Sequence, residues 1–406
     1  MVKSGYKQTE IGVIPEDWEV NELGNIGNVN TGMTPATNNR NFYGEEYYFV
    51  SPSDLGKGKY ILNSEKKLSK LGFSIARKYP KNSILFTCIG STIGKAGISL
   101  FELTSNQQIN AVLPNDLYSS DFVYYFLTFI SPKIKLGASE QAVPMINKTE
   151  FSKTQIPLPP LPEQQAIAEA LSDADDWIES LEQLIAKKRV LKQGAMQELL
   201  TPKEDWEEST IFSITDNIID YRGVTPKKLG MEWGNGNIVA LSAGNVKRGY
   251  IDFNSECYLG SQDLYKRWMR NGNPKKDDIV FTLEAPLGNI ALIPDNKKYI
   301  MSQRTILLQL NKKFDSMFIF QLLFSKAFQD YILESATGST AQGIKRQTFE
   351  KLLVKFPKSL VEQTRIATIL SDMDLEIAAL EQQLEKARQI KQGMMQELLT
   401  GRIRLI

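Results

Sequence analysis

The stretch KQGAMQELLT occupies residues 192–201, and KQGMMQELLT occupies residues 391–400. The likeness extends upstream. Glu163-Gln164 matches Glu362-Gln363, and the offset of 199 residues then holds without a gap to Thr201 and Thr400, with 23 of 39 positions identical. Chance does not produce such a match. The chain carries an internal repeat, and a repeat has to be read before any single motif.

Each copy reads as one long helix. Prolines crowd the lead-in PLPPLPEQ (157–164), where a helix tolerates them, and none follows until after Thr201. Ile167, Leu171, Ala174, Ile178, Leu181 and Ile185 are spaced 4-3-4-3-4, and Ile366, Leu370, Met373, Ile377, Leu380 and Leu384 repeat that spacing, with Ala387 after them. This is an apolar heptad seam flanked by Glu, Lys and Gln, which predicts helix-on-helix pairing. About 39 residues rising roughly 1.5 Å each give a rod near 58 Å. The simplest partner for each helix is the other, paired antiparallel, which would set two blocks at opposite ends of the rod about a pseudo-twofold axis. Gly194 and Gly393 lie at matched places in the repeated phrase. A mid-helix glycine costs about 1 kcal/mol relative to alanine. Their retention predicts a close backbone approach or a break in the helix.

Ahead of each helix lies a block of roughly 150 residues, a usual domain size. The blocks echo one another in a fixed order. PEDWE (15–19) answers KEDWEE (203–208), TGMTP (31–35) answers RGVTP (222–226), and SILFTCIGSTIGKAGI (83–98) answers DIVFTLEAPLGNIALI (278–293). Gln107 answers Gln303, and GASEQ (137–141) answers GSTAQ (338–342). YYFVSPSDL and SILFTCIG read as short strands with turns around them. SSDFVYYFLTFISPKI and DSMFIFQLLFSKAFQDYI read as buried helices, apolar over much of their circumference. The blocks are α+β. The organisation is a first block over 1–157, a long helix over 158–201, a second block over 202–357, and a second long helix with a C-terminal tail over 358–406.

Composition narrows the function. Of 406 residues, 42% are hydrophobic and 23% charged, as in an ordinary soluble protein, and no apolar run reaches the roughly 18–20 residues of a bilayer helix. The N-terminus lacks the apolar core of a secretory signal. The two cysteines, Cys88 and Cys257, read as core residues of a protein of the reducing cytoplasm. There is no histidine. That removes Ser-His-Asp triads, imidazole bases and His-ligated zinc together. GSTIGKAG (90–97) fails as a phosphate loop because Ala96 follows Lys95 where Ser or Thr is required. It reads as strand–turn–strand. No glycine-rich loop fits a methyl donor or dinucleotide. The expected catalytic, cofactor and metal residues in this chain are therefore none.

Net charge is +1, but it is unevenly spread: +2 over 1–155, −4 over 156–202 and +3 over 203–355. Several basic residues lie near aromatics, a pairing suited to phosphate and base contacts. In the first block these are Arg40, Lys57, Lys59, Lys66 and Lys67. In the second they are Lys247, Arg248, Lys266, Arg267, Arg270, Lys345 and Arg346. They are the candidate DNA contacts.

Taken together, the PLPPLPEQ-to-QELLT tail, its copy ending QELLTGRIRL, the opening IGVIPEDWEVNELG and the TGMTP segment resemble the specificity subunit of type I restriction–modification systems. The resemblance covers the whole chain. It departs where PLPP becomes KFPKS ahead of the second helix. It implies two target recognition domains, each reading half of a split sequence in double-stranded DNA, and helices that form an antiparallel coiled coil, space the domains and dock two modification subunits. It also implies that S-adenosylmethionine, ATP and Mg belong to partner subunits, that restriction subunits can join, and that the complex, not this chain, methylates adenine and cleaves DNA. Two other readings stand beside it: a coiled-coil scaffold for protein partners that reads no DNA, and the recognition subunit of another restriction type.

Overall fold

The computed structural model describes residues 4–138, 143–223, 225–302, 304–338 and 342–405. Gln303, Val224 and most of the glycine-led echoes at 137–141 and 338–342 lie outside the described residues. The chain forms two compact units, Met1–Glu182 with Gln382–Ile406, and Gln183–Glu381. Each unit takes one block and part of both long helices.

In the first unit, Glu19–Glu22 pairs antiparallel with Gln155–Leu158, so the block begins and ends on one ribbon beside the helix that follows. A five-stranded sheet runs in the order Val29–Thr31, Ile109–Val112, Ile84–Thr87, Ala96–Ser99, Tyr60–Ile61. Its three central strands are buried at every position. This is why their sequence reads as continuous apolar runs instead of alternating ones. The expected strand–turn–strand at 84–99 is present. A four-stranded sheet carries Lys66–Leu68, Tyr43–Val50, Leu103–Ser105 and Lys78–Tyr79, with the middle two strands parallel. The helix Ser120–Leu136 is capped by Ser119, whose hydroxyl accepts from the Phe122 N–H, and it buries Phe122 to Leu127.

The second unit repeats this order. Trp206–Thr210 pairs with Leu353–Pro357. A four-stranded sheet runs Thr215–Asp220, Thr305–Leu310, Ile279–Thr282, Ile290–Leu292. A three-stranded sheet holds Leu259–Gly260, Ile238–Leu241 and Ile300–Met301, the last two parallel. The segment expected as one buried helix is two, Ser316–Phe324 and Lys326–Glu334. They break at Ser325, whose hydroxyl caps the second by accepting from the Phe328 N–H.

The long helices run Leu161–Leu199 and Leu360–Leu398, 39 residues each. Their seam is where the heptads put it. Ile167, Leu171, Leu181, Ile185, Ile366, Leu370 and Ile377 are buried, and Ile178, Leu380 and Leu384 are half-buried. Burying a side chain of this size contributes about 1.5–3 kcal/mol. Within the first unit, Lys391 pairs with Asp175 and Arg388 with Glu182. Within the second, Lys192 pairs with Asp374 and Arg189 with Glu381. In each unit one helix ascends while the other descends, so the pairing is antiparallel. Both glycine expectations fail. The helices are unbroken at Gly194 and Gly393, and a Cβ on either would meet open space.

Candidate nucleic-acid interface

The repeated Glu-Gln that opens each helix has a physical task. Gln164 is buried, donates to the Pro159 carbonyl at 2.9 Å, and accepts from the Ser119 N–H at 2.9 Å. Gln363 donates to the Pro357 carbonyl at 2.9 Å and accepts from the Asp315 N–H at 3.0 Å. Ser119 and Asp315 are the N-caps of the buried helices Ser120–Leu136 and Ser316–Phe324. Each long helix therefore fixes its block at the same joint. Asp175 and Asp374 do so again one face further along, accepting from Tyr125 Oη at 2.8 Å and Gln321 Nε2 at 3.1 Å respectively. Burial, then the neighbouring Asp175 charge, pushes the Tyr125 phenol far above its ordinary range, so it stays protonated and can donate to Asp175.

With the blocks held this way, each unit presents three loops at one edge. Where two strands run parallel, ligand sites form beyond their carboxyl ends, because the loops leaving them diverge. In the second unit, the parallel ends Ala240-Leu241 and Ile300-Met301 deliver the turn at Ser242–Asn245 and the segment at Ser302 and Arg304. Asn245 Oδ1 accepts from the Ser242 N–H at 2.8 Å, and the Ser302 N–H binds the Leu241 carbonyl at 2.8 Å. The third loop, from residues 222–223 and 225–229, follows a strand of the neighbouring sheet. Between them lies a cavity of about 510 Å³, whose walls include Pro226, Lys227, Glu232, Trp233, Tyr258 and Arg304. Trp233 and Tyr258 stack at 5.2 Å between ring centroids, 14° from parallel.

The first unit has the same frame with other side chains. Its parallel ends, Phe49-Val50 and Thr104-Ser105, deliver Ser51–Asp54 and Asn106–Gln108. Asp54 Oδ2 accepts from the Ser51 N–H at 2.8 Å, and the Asn106 N–H binds the Val50 carbonyl at 3.0 Å. The third loop is Gly32–Pro35. Gly32 is required there, since a Cβ would fall 1.9 Å from the Asn106 carbonyl oxygen. Thr34 Oγ1 hydrogen-bonds Gln107 Oε1 across this edge.

The basic residues expected as DNA contacts are scattered over several surfaces. Arg40 is exposed at the start of the turn Arg40–Phe42, and Lys57 is exposed beside a cleft of about 1,070 Å³. Lys59 lines the same cleft but is committed inward, 2.9 Å from Asp121 and 2.8 Å from Ser172 Oγ. Burial opposes its charge, yet the Asp121 and Tyr60 hydrogen bonds outweigh it and raise its pKa. Lys66 is exposed; Lys67 lies 3.4 Å from Glu45. Lys247 donates to the Gly244 carbonyl, and Arg248 sits over the Phe324 ring. Lys266 and Arg267 are exposed on the helix Gln262–Trp268, with Arg270 exposed just beyond it. Lys345 is exposed. Arg346 is tied to Glu350 at 2.5 Å and lies 4.0 Å from Asp220. Self-paired Lys59 and Arg346 are poor candidates for DNA contact. Charge beside an aromatic does not select Trp233, Tyr258 or Arg304, which the fold brings to one cavity. The available signal was the echo of Asn106-Gln107-Gln108 in Ser302-Gln303-Arg304.

Among the described residues, no group of three or more Cys, Asp or Glu is placed to hold a metal ion, and no helix is long and apolar enough to cross a membrane. What the geometry defines is one loop-built edge in each unit, held by that unit's segments of the long helices. The chain belongs to the family described as the type I restriction modification DNA specificity domain, matched twice, over residues 15–188 and 203–389. It is similar to the type I restriction enzyme MjaVIII specificity subunit of Methanocaldococcus jannaschii, 25% identical over 97% of this chain and 94% of that one. The MjaIX specificity subunit of the same organism is 33% identical, over 43% of this chain and 42% of the relative. The crystal structure of the S subunit from M. genitalium shares the fold, with a TM-score of 0.59 at 17% identity over 94% of this chain and 96% of that one.

Proposed function

We propose that this chain is the non-catalytic, DNA-reading subunit of a type I restriction–modification complex. The observation that carries the reading is a contrast. The two halves keep the same loop frame and the same helix joints, while the side chains at the recognition edges differ. Two such edges suit a bipartite duplex site, one domain per half. The exposed face of the repeated phrase, at Gln193, Gly194 and Gln197 and again at Gln392, Gly393 and Gln396, offers two equivalent docking surfaces, one for each of two modification subunits. S-adenosylmethionine belongs to those subunits, and ATP and Mg to restriction subunits where these join. The complex acts in the cytoplasm. The test is methylation mapping of cells that express the chain with its modification subunit. Exchanging residues 206–357 for those of a relative should change one half of the methylated motif and leave the other half intact. A motif altered in both halves, or in neither, would overturn the reading.

A further inference from the structure

Arg304 walls the cavity of the second unit. Its guanidinium has no hydrogen bond or ion pair among the described residues, whereas Arg222, on the neighbouring loop, is held bidentate by Asp220 at 2.7–3.2 Å. Its backbone is left-handed, with φ +68°. A non-glycine residue occupies that region at a cost, and such outliers cluster at functional sites. Its own carbonyl is locked into the sheet by the Leu283 N–H at 3.0 Å, so the residue is fixed at its base and open at its tip. It faces the cavity whose other walls include the Trp233–Tyr258 stack and the exposed carboxylate of Glu232. A carboxylate there disfavours phosphate. It favours a base edge, where a carboxylate accepts from the cytosine amino group while a forked guanidinium donates to guanine O6 and N7. The matching place in the first unit is held by Gln108, whose carbonyl accepts from the equivalent Cys88 N–H at 2.8 Å. Its side-chain oxygen is already engaged, accepting from Asn106 Nδ2 at 3.0 Å.

We propose that Arg304, with Glu232 across the cavity, reads one G·C base pair in the half-site of the second domain. This rests on the DNA-reading function proposed above. The chain co-expressed with its modification subunit should methylate a bipartite motif containing an obligate G·C pair in the half assigned to residues 206–357 by domain exchange. Arg304→Gly suits the test, because glycine adopts the left-handed backbone freely and the variant keeps its fold. It should relax that one pair by roughly 5- to 150-fold, the range of a bidentate contact, and leave the other half-site unchanged. Glu232→Gln should relax the same pair and no other. Duplex carrying 7-deazaguanine at that position, which lacks N7, should bind the wild-type complex more weakly and the Arg304→Gly complex no differently. An unchanged motif, or a uniform loss across all sequences of the kind a phosphate contact gives, would overturn the assignment. A wild-type complex that methylates no bipartite motif would overturn the underlying function as well.

Discussion

Arg404 is the residue whose removal should cost most for its size. Its guanidinium is bidentate to Glu163, at 2.6 and 2.8 Å, and to Asp17, at 2.9 and 2.8 Å. Glu163 is buried, and besides Arg404 its carboxylate accepts from Trp18 Nε1 at 3.1 Å. In Arg404→Met the carboxylate keeps the indole N–H and loses its charge partner. Stranding a buried charge costs about 3–5 kcal/mol. Arg404 is itself 21% exposed, so water reaches the gap, and the low end, about 3 kcal/mol, is the figure to expect. The Asp17 contact lies at the surface and adds less than about 1 kcal/mol. A unit of about 200 residues loses roughly 2–4 °C per kcal/mol, which gives a melting temperature lower by about 6–12 °C. The assay is urea unfolding followed by tryptophan fluorescence, in the native background and in Glu163→Gln. Neutralising Glu163 should shrink the effect of Arg404→Met to about 1 kcal/mol. Equal losses in both backgrounds would refute the argument. The Arg404 hydrogen bond also holds the Asp17 pKa below its ordinary 3.8. A lowered carboxylate stabilises above its unfolded pKa and loses that contribution as pH falls through the folded one. The native chain should therefore lose more stability than Arg404→Met on acidification below about pH 4.

Gln164→Ala and Gln363→Ala should each cost about 2–3 kcal/mol in their own unit, because each strands a buried carbonyl and a helix-cap N–H; matched losses in denaturant melts check this. Gly194→Ala and Gly393→Ala should each stabilise by up to about 1 kcal/mol, since the new methyl meets open space. Size-exclusion titration of both variants with the modification subunit then shows whether the bare glycine face is needed for docking. Burial pushes the Cys88 thiol up to about 12, so it should resist alkylation at pH 8 in the folded chain and react on unfolding. The unfolded thiol ionises first, so stability should fall as pH rises from about 9 toward 12.

The frame was legible in the sequence because it is periodic. Ile167 to Ile185 and Ile366 to Leu384 announce a seam by spacing alone, and a duplicated text shows where the frame recurs. The recognition edge was not legible, for a topological reason. Its walls come from residues 225–227, 232–233, 242–244, 258, 302 and 304, brought together by a parallel strand pair that sequence proximity does not reveal. Adjacency to an aromatic selected Lys59, which the fold turns inward to Asp121. It passed over Arg304, whose aromatic neighbours lie more than forty residues away in the chain. The glycines misled for a related reason. A mid-helix glycine predicts a close backbone approach or a break, whereas Gly194 lies in an unbroken helix on an open face.

The repeat also explains its own persistence. Lys192 in the first copy pairs with Asp374 in the second, and Lys391 in the second pairs with Asp175 in the first. Arg189–Glu381 and Arg388–Glu182 cross in the same way. Each unit thus draws one partner from each copy, and a change in either copy disturbs a pair that the other copy completes. The blocks face a looser demand. Asp175 and Asp374 need only a donor from the block behind them, and a tyrosine serves in one and a glutamine in the other. Gln164 and Gln363 need only a capped helix end, which Ser119 and Asp315 supply with different chemistry. The helices are therefore constrained residue by residue, and the blocks only by the kind of group they present at two joints. That difference leaves the loops at the recognition edge free to change what they read while the frame that holds them stays the same.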